Sequence, residues 1–202
     1  MVRAGTGCRD GDGVRAVSFA PVARRDAEVL ILGTMPGAAS LAAGEYYAHP
    51  RNAFWDILAA WTGVPRTASH ARRCAGLRGA RIALWDVVHA CRRPGSLDSA
   101  IDPLSVEPND IAGLLARCPR VRTVLFNGAP AERLFRRHVA TRPCARAAGL
   151  RTVRLPSTSP AHASRTPATK RRVWHAALRA ACREAMRSRP SCDRMPSRGR
   201  TS

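Results

Sequence analysis

Four short apolar runs alternating with segments of helical period constrain this chain more than any other feature. Residues 28–33 (Glu-Val-Leu-Ile-Leu-Gly) read as a buried strand that ends on glycine. Residues 81–88, 121–126 and 150–155 read as three more strands, the run 121–126 closed by Asn127-Gly128. Between and after them the spacing predicts helices. The first covers 53–62, with Phe54, Trp55, Ile57, Leu58 and Trp61 apolar. Others begin at Pro108-Asn109-Asp110, run over 130–139, and run over about 167–186. Strands and helices in alternation predict an α/β domain on a mainly parallel four-stranded sheet. Ligands of such sheets bind at the carboxyl ends of the strands, where the connecting loops gather.

The chain has 202 residues, enough for one domain with a full core, and 45% hydrophobic content argues against global disorder. No apolar run has the length of a membrane span, and the first 25 residues carry charges throughout without the apolar stretch of a secretory signal. Thirty-four Lys+Arg against 14 Asp+Glu give a formal charge of +20, which points to a polyanion, nucleic acid first. Lys170 is the only lysine, so an arginine-rich composition is the plainer source of that charge. Seven cysteines with no close pair argue against a disulfide framework or a zinc ribbon, and fit small core residues in a reducing compartment, the cytoplasm. Residues 1–17 read as a loose segment, 18–186 as the domain, and 187–202 as a disordered basic tail.

Each strand feeds a loop with an unusual cluster. The first holds Gly33-Thr34-Met35-Pro36-Gly37 and then residues 46–55, Tyr-Tyr-Ala-His-Pro-Arg-Asn-Ala-Phe-Trp. The second holds Asp86 and residues 91–98, the third Asn127-Gly128, and the fourth Leu-Pro-Ser-Thr-Ser-Pro-Ala-His-Ala over 155–163. Small residues in such loops let backbone N–H groups approach an anion.

Taken together, "LGTMPGAASLAAGEYYAHPRNAFW" (32–55), "ALWDVVHACRRPGSLDSAI" (83–101), "LFNGAPAERLFRRHV" (125–139) and "LPSTSPAHA" (155–163) resemble, in order and spacing, the uracil-DNA glycosylase superfamily. The detail is most similar to its DNA-deoxyinosine (hypoxanthine-DNA) glycosylases, family 6. The resemblance runs from about residue 18 to about 183. It implies a three-layer α/β/α fold and a monofunctional DNA glycosylase of base excision repair. Such an enzyme hydrolyses the N-glycosidic bond of a damaged base without metal or cofactor. The partner implied is DNA containing a deaminated base, and a monomer is expected.

Such chemistry needs a flipped nucleotide, a positioned water, stabilisation of the departing base and a stacking face. Asn52 is the candidate for holding the water. The related mismatch-uracil glycosylases carry an asparagine at the place of Met35, whose thioether is too weak an acceptor for that job. A plain helix N-cap is the competing reading of Asn52. Tyr47 matches the aromatic that stacks on the base, against a tyrosine packed into the core, with Tyr46 as fallback. Asp86 matches the base-reading position, with Gly33 and Met35 completing the base-binding set. A carboxylate accepts from the base N–H but donates to its carbonyl only when protonated. Otherwise Asp86 is an ion-pair partner of Arg92 or Arg93. His162, the second catalytic candidate, could donate to a ring nitrogen or a phosphate, or be a solvated loop residue. Ser157, Thr158 and Ser159, with Arg51 and Arg165, are the candidate phosphate contacts, against a Ser/Pro-rich turn and solvated arginines. Arg171 and Arg172 would add to the same footprint. His49 reads as structural. Lys170, on the last helix and away from the loops, does not suggest a Schiff-base lyase.

Two rivals stand beside deoxyinosine excision. One is a uracil or mixed deaminated-base glycosylase of the same fold. The other is a non-catalytic nucleic-acid-binding α/β domain.

Overall fold

The computed structural model describes residues 15–140, 149–162 and 164–187. A four-stranded parallel sheet forms its centre, from β2 (Val29–Gly33), β3 (Ile82–Asp86), β6 (Thr123–Asn127) and β7 (Arg151–Leu155), in the order β3-β2-β6-β7. Every residue of β2, β3 and β6 is buried, as expected of strands covered on both faces. Helices flank the sheet: α2 (Phe54–Thr62), α3 (His70–Gly79) and α6 (Pro167–Arg187) touch one another in pairs through α2, and α5 (Ala129–His138) packs on β6 and β7. This is the α/β/α arrangement with a mainly parallel sheet that the sequence predicts. Phe54, Trp174, Phe126 and the aliphatics of β2 and β3 fill its core.

The second expected strand divides. After Asp86 the chain leaves the parallel sheet and enters β4 (Val88–Arg92), which pairs antiparallel with β1 (Arg15–Val17) and β5 (Glu107–Pro108). Asn109 holds the junction: its Nδ2 donates to the carbonyls of Asp86 (2.9 Å) and Val88 (3.2 Å), and its own amide donates to Val87. An apolar run shows where a chain is buried but not where its hydrogen-bond partners change, so one run served two sheets.

β1 corrects the domain boundary, since residues 15–17 of the expected loose segment form a strand. Residues 1–14 and 188–202 lie outside the described residues, and Arg187, placed in the tail by sequence, ends α6. The short α1 (Ala38–Ala43) and α3 fall in stretches without a clear apolar period and are not predicted. The helix expected from Pro108 is α4 (Ile111–Arg117), with Asp110 as N-cap accepting from Gly113 N–H at 2.8 Å. Cys74, Cys91 and Cys118 are buried as free thiols, in keeping with their core reading. No helix among the described residues is long and apolar enough to cross a membrane.

Candidate active site

The carboxyl ends of the four parallel strands, Gly33, Asp86, Asn127 and Leu155, lie side by side, Gly33 in register with Asp86 and Asn127 with Leu155. The loops that follow them enclose a cavity of about 930 Å³, at the large end of ligand pockets. Of the candidates named from sequence, Gly33, Met35, Tyr47, Asn52, Asp86, Ser157, Thr158, Ser159, His162 and Arg165 all line it. Arg51, Arg171 and Arg172 do not; they are exposed outside it.

Gly33 is required by a close approach. A Cβ there would sit 2.3 Å from Asp86 Oδ1 and 2.8 Å from the Tyr47 hydroxyl, so two polar groups occupy the place of its missing side chain. Asp86 is 3% exposed. Burial pushes its carboxyl up to about 7, with the Asp98 charge adding to the shift and the Ser18 hydroxyl and the Arg93 charge opposing it. Ser18 Oγ donates to Asp86 Oδ2 at 2.8 Å. The alternative reading, an ion pair with Arg92 or Arg93, is not seen among the described residues: Arg93 donates to the Pro36 carbonyl and lies 3.8 Å from Asp98. Asp98 also lines the cavity, and burial raises its carboxyl too.

Tyr47 adopts a positive φ of 54°, rare for a residue with a side chain. That conformation lays its ring flat on Phe54, centroids 3.9 Å apart and planes 19° off parallel. Its hydroxyl accepts from Asn127 Nδ2 at 3.1 Å, and burial holds the phenol well above its ordinary pKa. One face is therefore backed by the core while the residue borders the cavity. Tyr46 is 3% exposed and packs edge-on against Phe19, its hydroxyl donating to the Ala20 carbonyl, which makes it a core residue.

Asn52 precedes α2 and its Oδ1 accepts from Phe54 N–H at 3.0 Å. The capping bond is thus real, made from one residue outside the N-cap position held by Ala53. It uses one of two lone pairs on that oxygen and fixes the carboxamide. Arg66, which sequence reading passed over, clamps the same turn through the Pro50 carbonyl and an ion pair with Asp56 at 2.6 Å.

Asn127 is the residue whose importance the sequence understated. It is 7% exposed and joins three loops: Nδ2 donates to Tyr47 and to Thr158 Oγ1 (2.9 Å), and Oδ1 accepts from Thr158 N–H (2.8 Å). The signal was available, because Asn127 ends its strand at the same level as Gly33 and Asp86 end theirs. Thr158 in turn accepts Ala53 N–H on its carbonyl, so its backbone braces α2. Ser157 and Ser159 are half-buried, and His162 and Arg165 are exposed at the mouth, His162 Nε2 lying 3.2 Å from Ser164 Oγ. Arg154 lines the cavity as well and stands 3.5 Å from Glu132.

Lys170 corrects the sequence expectation. It is 5% exposed and its Nζ donates to the Ser159 carbonyl at 3.1 Å, while Trp174 Nε1 donates to Pro156 at 2.9 Å. The last helix therefore holds the fourth loop, and its lysine is spent on that loop's backbone.

Comparison with known proteins agrees with this geometry. A family model for the uracil DNA glycosylase superfamily matches residues 20–180. A hypoxanthine DNA glycosylase of Methanosarcina acetivorans is 33% identical over 162 residues, 80% of this chain and 96% of that protein. A hypoxanthine DNA glycosylase of Methanosarcina barkeri is 37% identical over 111 residues, 54% of this chain and 69% of that protein. A solution NMR structure from Methanosarcina acetivorans, described with the uracil DNA glycosylases, superposes with a TM-score of 0.67 at 31% identity, covering 83% of this chain and 99% of that one. By the family match over most of its length, by its relatives and by its fold, the chain belongs to the uracil DNA glycosylase superfamily.

Proposed function

We propose that this DNA glycosylase hydrolyses the N-glycosidic bond of deoxyinosine, releasing hypoxanthine and leaving an abasic site. The observation that carries the reading is the meeting of Asp86, Tyr47 and Asn52 on one cavity at the strand ends. The relatives named hypoxanthine DNA glycosylase support the choice of base.

Hypoxanthine presents an N–H donor beside a carbonyl acceptor. A carboxyl poised near pH 7 serves both: ionised it accepts from the N–H, and protonated it also donates to the carbonyl. Ser18 fixes one oxygen of Asp86, and Gly33 leaves room for the other. Tyr47, supported from behind by Phe54, offers the base a stacking face, a contact worth about 1–3 kcal/mol. Gly33 and Met35 line the same cavity.

Departure of the base leaves an oxocarbenium-like sugar that water must attack. With one lone pair of Asn52 Oδ1 on Phe54 N–H, the carboxamide is held still and its second lone pair accepts from that water. Capping and catalysis are then one geometry. His162, at the mouth, donates to a phosphate or to a ring nitrogen of the leaving base. Ser157 and Ser159, with Arg51 and Arg165, take phosphates beside the flipped nucleotide, and Thr158 holds the loop that presents them. No lysine is among the described residues that line the cavity, and Lys170 is bonded to Ser159, which favours simple hydrolysis over a Schiff-base lyase.

The test is incubation with duplexes carrying one deoxyinosine, deoxyuridine or deoxyxanthosine, followed by alkali to break abasic sites. Strand breaks are expected at deoxyinosine above all. Cleavage led by deoxyuridine would favour a uracil glycosylase, and none on any duplex would leave only a binding domain.

A further inference from the structure

His49, read from sequence as structural, lines the cavity, is partly exposed, and has no part in the mechanism above. It opens a four-residue turn that ends on Asn52. Asn52 N–H donates to the His49 carbonyl at 2.9 Å, with Pro50 and Arg51 between them, and proline suits that second place. Arg51 N–H donates to His49 Nδ1 at 3.1 Å, so the ring folds back on its own turn. Two neighbours brace the turn from outside. Ser40 Oγ accepts Ala48 N–H at 3.1 Å, and Arg66 donates to the Pro50 carbonyl.

The bond to Nδ1 decides what the other ring nitrogen can do. A neutral imidazole has one acceptor nitrogen and one N–H, and with Nδ1 accepting, the proton belongs to Nε2. Nε2 is therefore a donor to a ligand, and in this tautomer it cannot take a proton from water. Among the described residues the ring's one hydrogen bond is that at Nδ1, which leaves Nε2–H unspent. The turn also adjoins the loop of the candidate phosphate contacts. Ala53 N–H, directly after Asn52, donates to the Thr158 carbonyl at 3.1 Å, which ties residues 157–159 to the turn. Pro50 and Arg51 are exposed, so His49 stands where the cavity meets the surface.

We propose that His49 Nε2–H donates to a phosphate oxygen beside the flipped nucleotide. The inference rests on the glycosylase reading above. In that reading the buried Asp86 meets the edge of the base, and a partly exposed donor next to residues 157–159 meets the backbone. One braced turn carries both His49 and Asn52. A phosphate held by His49 therefore fixes where the sugar lies relative to the water on Asn52, and such positioning lowers the barrier.

Single-turnover excision would be measured on a duplex with one deoxyinosine, and on duplexes in which one phosphate flanking it is a methylphosphonate. His49→Asn keeps the turn, because an asparagine oxygen accepts the N–H two residues on, but its short amide does not reach the place of Nε2. This variant is expected to melt as wild type does and to react about tenfold or more slowly on the natural duplex, having lost a hydrogen bond to a charged oxygen. At one flanking position the methylphosphonate should slow wild type and spare His49→Asn, so that the two rates meet. His49→Ala, which also removes the acceptor of Arg51 N–H, should melt lower and react no faster than His49→Asn, and it serves the same comparison if His49→Asn does not fold. A wild-type rate for His49→Asn on the natural duplex would overturn the proposal and leave His49 a turn residue. So would a deficit of one size on every methylphosphonate duplex, which would put the donor on the base. If wild type released no base from the natural duplex, the glycosylase reading itself would fail, and the contact with it.

Discussion

At the scale of single residues, the site depends on polar groups placed where burial changes their chemistry. Asp86 shows this most clearly, its carboxyl raised to about 7 by burial. Between about pH 4 and about 7 the unfolded chain has released this proton and the folded chain keeps it, so the group's contribution to stability falls as pH rises through that window. Asp86→Asn keeps the shape and removes the titration. The melting temperature of the variant relative to wild type should therefore rise from pH 5 to pH 8; a constant difference would mean that Asp86 is ionised throughout. Asn52 carries the second residue-scale claim. Asn52→Ala loses a capping bond worth about 1 kcal/mol and with it a small amount of thermal stability. Loss of the oxygen proposed to hold the water should slow excision by about two orders of magnitude or more while DNA binding persists. A variant with the cap's stability loss but full activity would reduce Asn52 to a cap.

At the scale of elements, the strand ends and loops act together because Asn127 joins them. Asn127→Ala would leave Thr158 N–H, a buried donor, without its acceptor, at a cost of about 1–3 kcal/mol, and would free Tyr47. A depressed melting temperature with increased exchange of the Thr158 amide is expected; unchanged exchange would show that the fourth loop is held from α6 alone, through Lys170 and Trp174. Strands β2, β3 and β6 were legible because burial on two faces leaves a continuous apolar run in the sequence. The helices α2, α4, α5 and α6 were legible because burial on one helical stripe leaves a periodic trace. β7, with Arg151, Thr152 and Arg154 exposed, was legible only through its few apolar residues. Strand β1, helix α3 and the division at Val87 left no such trace. β1 has one buried residue, and α3 buries only Cys74 and Leu77 of ten. The site followed the same rule. Gly33, Tyr47, Asn52 and Asp86 were found from their motif, which fixes local chain order. Ser18 matters through a contact made across the fold, to a residue 68 positions away, and no local pattern announces it.

At the scale of the molecule, the +20 charge of the chain acquires a place. Arginines are found along the whole sequence, but among the described ones only Arg154 and Arg165 line the cavity, so in the proposed reading charge draws in the phosphates while uncharged groups and Asp86 read the base. A parallel sheet makes this possible, since its strands deliver Gly33, Asp86 and Asn127 to one edge from separate parts of the chain. The central claim is that this edge removes hypoxanthine from DNA. Its most direct measurement is identification of the free base released from a deoxyinosine-containing duplex under single turnover, alongside the abasic strand. The account predicts free hypoxanthine in one-to-one yield with alkali-sensitive sites, without strand cleavage before alkali. Recovery of the intact duplex with no free base would contradict it.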